Sequence, residues 1–91
     1  MYTGMIKNDL QDGKGVEEYA DGSRYEGFYK SGMKHGYGKY SWADGSSYEG
    51  DWVENVLEGY GVYIWHDSKE YAGEWRSNEM NGFGVYKWPD G

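Results

Sequence analysis

Ninety-one residues allow one domain at most and a modest core. A net charge of −7, from sixteen acids against nine bases, argues against nucleic acid, whose phosphates demand a basic surface, and disfavours adsorption to anionic lipid. With no Cys there is neither a disulfide framework nor a thiolate metal site, and the opening Met1-Tyr2-Thr3-Gly4 begins no apolar run of a signal peptide or transmembrane helix. Hydrophobic residues are only 37% of the chain and mean hydropathy is −1.02, a balance that suggests disorder unless something else supplies burial. Aromatic residues, at 20%, supply it, because each ring removes a large area from water.

From the first residues onward the chain repeats. Tyr2, Tyr25, Tyr48 and Tyr71 stand 23 residues apart, and two residues after each comes Gly4, Gly27, Gly50 or Gly73. A second glycine pair follows in each unit: Gly13 and Gly15, Gly36 and Gly38, Gly59 and Gly61, Gly82 and Gly84. Each unit closes on Asp21-Gly22, Asp44-Gly45, Asp67-Ser68 or Asp90-Gly91. The units are residues 2–24, 25–47, 48–70 and 71–91. Unit one is a weak copy, with Ile6 where Tyr29, Trp52 and Trp75 stand later and Glu17 in place of a repeated Tyr, as suits a terminal cap.

Within a unit, segments such as Tyr25–Tyr29 and Gly38–Trp42 alternate residue types with period two, which is strand behaviour. Asp-Gly marks a tight turn between units, and Ser68 in the third copy predicts strain or another turn type there. The stretch Lys30–Gly36 predicts a broader loop inside the hairpin. No stretch has helical periodicity. The expected fold is all-β: an elongated, single-layer antiparallel meander of four stacked hairpins, about eight strands. One face gathers Tyr25, Gly27 and Tyr29 with their equivalents, the glycines leaving room for a ring to lie on the backbone. The other face is mixed, with Glu26, Phe28, Glu49 and Asp51 and an apolar strip of Tyr60, Val62 and Ile64.

The pattern Tyr-x-Gly-x-Trp/Tyr, then Gly-x-Gly, then Asp-Gly-x-x-Tyr-x-Gly resembles the MORN (membrane occupation and recognition nexus) repeat family over essentially the whole chain. The resemblance implies a twisted single-layer sheet with an aromatic groove. It implies roles in scaffolding, in ciliary and cortical cytoskeleton assembly, and in membrane contacts. Similar repeats precede catalytic domains in some lipid kinases and lysine methyltransferases; no such domain is in this sequence. The chain stops at Gly91 within a turn, so a longer array is expected.

Signals for catalysis are poor. His66-Asp67-Ser68 holds the residue types of a hydrolase triad, but consecutive side chains in a turn cannot converge as nucleophile, base and orienter. His35 and His66 lie at opposite hairpin ends, which rules against shared metal ligation. Gly36-Tyr37-Gly38 precedes a strand rather than a helix, unlike a phosphate loop. No enzyme, metal or cofactor is expected.

Binding residues are expected on the aromatic face: Tyr40, Trp42, Trp52, Tyr63, Trp65, Trp75, Tyr86 and Trp88. Residues 48–70 carry −5, from Lys69 against Glu49, Asp51, Glu54, Glu58, Asp67 and Glu70, so Glu54 and Glu58 are expected to steer a basic helix or extended peptide. A lipid surface is the alternative partner, resting on Lys30, Lys34, His35 and Lys39. The strand Phe83–Trp88, without a successor, is expected to self-associate edge to edge. A cytoplasmic setting is expected, with cytoskeleton or ciliary axoneme as the family-level extension.

Overall fold

The computed structural model describes residues 1–89, and every regular element in them is a strand. These are β1 (Tyr2–Lys7), β2 (Leu10–Glu18), β3 (Arg24–Lys30), β4 (Met33–Ser41), β5 (Ser47–Val53), β6 (Val56–Ile64), β7 (Glu70–Arg76) and β8 (Glu79–Lys87). They form one open sheet in chain order, every neighbouring pair antiparallel. The closing turn expected at Asp90-Gly91 lies outside the described residues. The sheet measures 47 × 27 × 15 Å, the thinnest dimension being that of one layer and its side chains.

Two kinds of turn alternate, and local chemistry sets both. Between units, Trp42 N–H donates to Ser46 O (2.8 Å), Gly45 N–H to Trp42 O (3.1 Å), and Ser46 N–H to Asp44 Oδ1 (2.9 Å). This is a type I turn closed by a left-handed residue, Gly45 at φ 95°. Trp65–Lys69 makes the same three bonds, so the turn type is unchanged and Ser68 takes the left-handed position at φ 76°. The strain expected there therefore falls on one serine backbone.

Inside each unit the turn is only two residues long: Asn8-Asp9, Ser31-Gly32, Glu54-Asn55 and Ser77-Asn78, all at positive φ, the type I′ pattern of tight hairpins. The broad loop expected over Lys30–Gly36 is thus replaced by a short turn and an early start of β4 at Met33. The register shift between Gly27 and Tyr29 absorbs the extra residues as a bulge beside Gly36, and each unit repeats the shift.

These inner turns also clip one unit to the next. Asn55 N–H donates to Lys34 O while Lys34 N–H donates to Asn55 Oδ1, at 2.9 and 2.8 Å. Asn78 and Leu57 exchange the same pair at 3.0 and 2.8 Å.

The core lies on one face. Tyr25 and Tyr48 are fully buried, with Tyr29, Trp52, Leu57, Tyr71 and Trp75 beside them. Each repeated tyrosine ring covers a glycine pair across the hairpin: a Cβ on Gly61 would stand 2.1 Å from Tyr48 Oη. The hydroxyls then donate along the same strand, Tyr25 to Phe28 O and Tyr48 to Asp51 O, both 2.9 Å. Trp52 stands edge-on between Tyr25 and Tyr48, at 5.5 and 5.4 Å, and Trp75 repeats the arrangement between Tyr48 and Tyr71. Each hairpin is marginal alone, and these interleaved rings supply the nearest-neighbour term that holds a repeat array together.

Candidate functional site

Above the buried rings runs a second, outer tier. Its order is Tyr19, Tyr40, Trp42, Tyr63, Trp65, Tyr86 and Trp88, each ring 4.7 to 6.4 Å from the next. Side chains alternate across a strand, so Tyr40 on β4 and Trp42 just beyond it share the core face, and the 23-residue period repeats them as Tyr63 with Trp65 and Tyr86 with Trp88. Tyr40, Trp42, Tyr63 and Trp65 are half-buried, while Tyr86 and Trp88 are exposed.

Between the two tiers lies a groove of about 390 Å³. Trp52, Leu57 and Trp75 make its floor, Tyr40, Trp42 and Tyr63 its walls, and Lys34, Asn55 and Asn78 its polar lining. Of the eight rings expected to bind, five line this groove; Trp65, Tyr86 and Trp88 continue the outer tier past it. Trp52 and Trp75 serve only by their faces, since their indole N–H groups donate to Gly38 O and Gly61 O, each at 3.2 Å. The two acids are elsewhere. Glu58 Oε1 accepts from Ser77 N–H at 2.8 Å, fixing the next unit's turn, and Glu54 borders a separate depression with Lys30 and His35.

Among the described residues that line the groove, Lys34 is the charged one. Its Nζ lies 5.7, 5.4 and 5.7 Å from the ring centres of Tyr19, Tyr25 and Tyr40, a cation–π enclosure on three sides. Burial holds its pKa below the usual lysine value, with the Glu17 carboxylate pulling the other way. Glu17 Oε1 itself accepts from the Tyr29 and Tyr19 hydroxyls at 2.9 and 3.2 Å. Burial, then that carboxylate, push both phenols well above the ordinary tyrosine range. Tyr19, Asn55, Leu57 and Asn78 were not among the expected binding residues, and Lys34 was expected only for a lipid surface. The period offered a signal for two of them, because Tyr19 stands where the later units have Trp42, Trp65 and Trp88, and Lys34 where they have Leu57 and Met80.

His66, Asp67 and Ser68 follow one another around the Trp65–Lys69 turn, where Asp67 Oδ1 accepts from Lys69 N–H. No three His, Cys, Asp or Glu side chains converge among the described residues. Among those residues, too, no helix is long and apolar enough to cross a membrane.

The MORN repeat model matches residues 2–24, 25–47, 48–69 and 71–91. A comparison with curated proteins finds no match. With four consecutive matches over nearly its whole length, the chain belongs to the MORN repeat family, whose non-catalytic repeats generally bind proteins or membranes.

Proposed function

We propose that this chain is a non-catalytic scaffold that takes a segment of a protein partner in the aromatic groove. One observation carries the proposal: a continuous outer tier of half-buried and exposed rings stands over a floor already filled by other rings. Core stability rests on the lower tier, so the upper tier has free faces and edges, and Trp and Tyr bring large contact area at low entropy cost. The family's interaction role supports the same reading, and we extend it to a cytoplasmic setting in cytoskeletal or ciliary assembly.

Geometry favours a protein over a lipid surface. The basic cluster of the second unit is divided: Lys34 is enclosed by rings, and Lys39 pairs in register with Glu26 on one side and Glu49 on the other. The test is calorimetric titration of a captured partner against folded Trp42→Ala and Trp65→Ala variants, with co-sedimentation on anionic vesicles alongside. Each substitution is expected to weaken partner binding by about 2 kcal/mol. Unchanged affinity in both, or vesicle binding that both retain, would overturn the groove as the binding site.

A further inference from the structure

Apart from its tyrosine hydroxyls, the free polar side-chain groups lining the groove are donors. A backbone N–H can only donate, so the Asn55 atom that meets Lys34 N–H is the carbonyl oxygen, and the same holds for Asn78 at Leu57 N–H. Both side-chain oxygens thus already accept a bond within the fold, and both Nδ2 groups, on exposed residues lining the groove, are left as donors. Lys34 has three donors and no acceptor, and Trp42 Nε1 on the wall is also a donor. Among the described residues no carboxylate lines the groove. Among the described residues Lys34 has no carboxylate within ion-pair distance: the ion pair found is Arg24 with Glu26, and Glu17 is engaged by two tyrosine hydroxyls. Glu17 attracts the Lys34 ammonium only from beyond ion-pair distance; a half-buried cation without a direct ion pair is costly, and a visiting carboxylate relieves that cost.

We propose that the segment taken by the groove is an acidic one, an extended peptide that sets a carboxylate on Lys34 and further acceptors on Asn55 and Asn78. The inference rests on the groove being the binding site. It runs opposite to the net charge of −7: acids such as Glu49 and Asp51 lie on the other face of the sheet, Glu17 on the aromatic face is engaged by the Tyr19 and Tyr29 hydroxyls, and among the described residues the side chains lining the groove are cationic or neutral. Successive units are two strands apart, roughly 10 Å at the usual strand spacing. That matches one turn of an extended polyproline II segment, three residues at about 3.1 Å each, so acceptors three positions apart share a face and meet donors from successive units, with apolar residues between them on the rings.

The experiment is a selection from a random peptide library displayed on phage, using the whole chain as bait. Synthetic versions of the selected peptides are then titrated against the chain and its variants. Trp42→Ala identifies peptides bound in the groove. Among these, Asp or Glu spaced three positions apart within apolar sequence is the expected enrichment. Lys34→Leu, which installs the residue that the next unit carries, should weaken them about thirtyfold. Asn55→Asp with Asn78→Asp keeps the oxygen that accepts each backbone N–H but turns the outward donor into an acceptor. It should preserve the circular dichroism spectrum and weaken the same peptides at least about tenfold. Groove-bound peptides rich in Lys or Arg, or acidic peptides unaffected by both changes, would overturn this inference and leave the groove standing. A selection whose binders all ignore Trp42→Ala would remove the groove itself, and this inference with it.

Discussion

Replacing Gly61 with alanine tests how the core is built. The added Cβ would stand 2.1 Å from Tyr48 Oη and 2.3 Å from two of its ring carbons, so the ring must move. Tyr48 is fully buried, and moving it breaks its hydroxyl bond to Asp51 O and disturbs its edge-on contacts with Trp52 and Trp75. One such hydrogen bond contributes about 1 kcal/mol and each aromatic pair about 0.5–1.5 kcal/mol, so the loss should be about 3 kcal/mol. For a chain of this size that lowers the melting temperature by about 15 °C. Thermal melts followed by circular dichroism give the cost, and a Tyr48→Leu background gives its origin. With the ring gone, Gly61→Ala should cost less than about 1 kcal/mol, a coupling of about 2 kcal/mol. A single variant that melts like the parent, or two changes that simply add, would refute ring-on-glycine packing as the source of stability.

Ser68→Gly should stabilise the chain by about 1 kcal/mol, because a non-glycine residue at φ 76° carries a left-handed penalty; a lower melting temperature would contradict it. Strong base should unfold the protein. The phenols of Tyr19, Tyr25, Tyr29 and Tyr48 are raised by burial, so their stabilisation is fully present below about pH 10, where unfolded tyrosines titrate, and is lost as pH rises beyond it. Tyrosinate absorbance and loss of sheet signal should therefore rise together, and free titration of these phenols in a folded chain would count against the burial. At the outer strand β8, Phe83 and Val85 are 83% and 63% exposed beside an edge that is unpaired among the described residues. Sedimentation should show concentration-dependent association that Val85→Lys abolishes, and a monomer at high concentration would end the idea.

Much of the fold was legible because the 23-residue period fixes both which residues are equivalent and which face they take. Tyr25, Gly27 and Tyr29 are buried and Glu26, Phe28 and Lys30 exposed, as alternation demands. The inner turns were harder. Ser31-Gly32, Glu54-Asn55 and Ser77-Asn78 share no common turn dipeptide, and the bulge beside Gly36 hides the start of β4. The rings of the site could be found by period, and Lys34 by its departure from it, but the two asparagines of the polar lining could not. Asn55 and Asn78 enter the groove only because each inner turn docks on the preceding unit, a contact between residues 21 apart that no local pattern announces. Charge counting pointed to Glu54 and Glu58, yet a carboxylate's place depends on its hydrogen bonds, and Glu58 is held by the Ser77 amide.

Nuclear magnetic resonance of the five tryptophan indole N–H groups, with a captured partner titrated in, tests the proposed groove most directly. Trp42 and Trp65 should shift on binding, while Trp52 and Trp75, bonded to Gly38 and Gly61 carbonyls, should stay near their free positions. Backbone amides around Glu26 and Phe28 on the opposite face should not move. Shifts confined to that face or to β8, with Trp42 and Trp65 unmoved, would contradict the account.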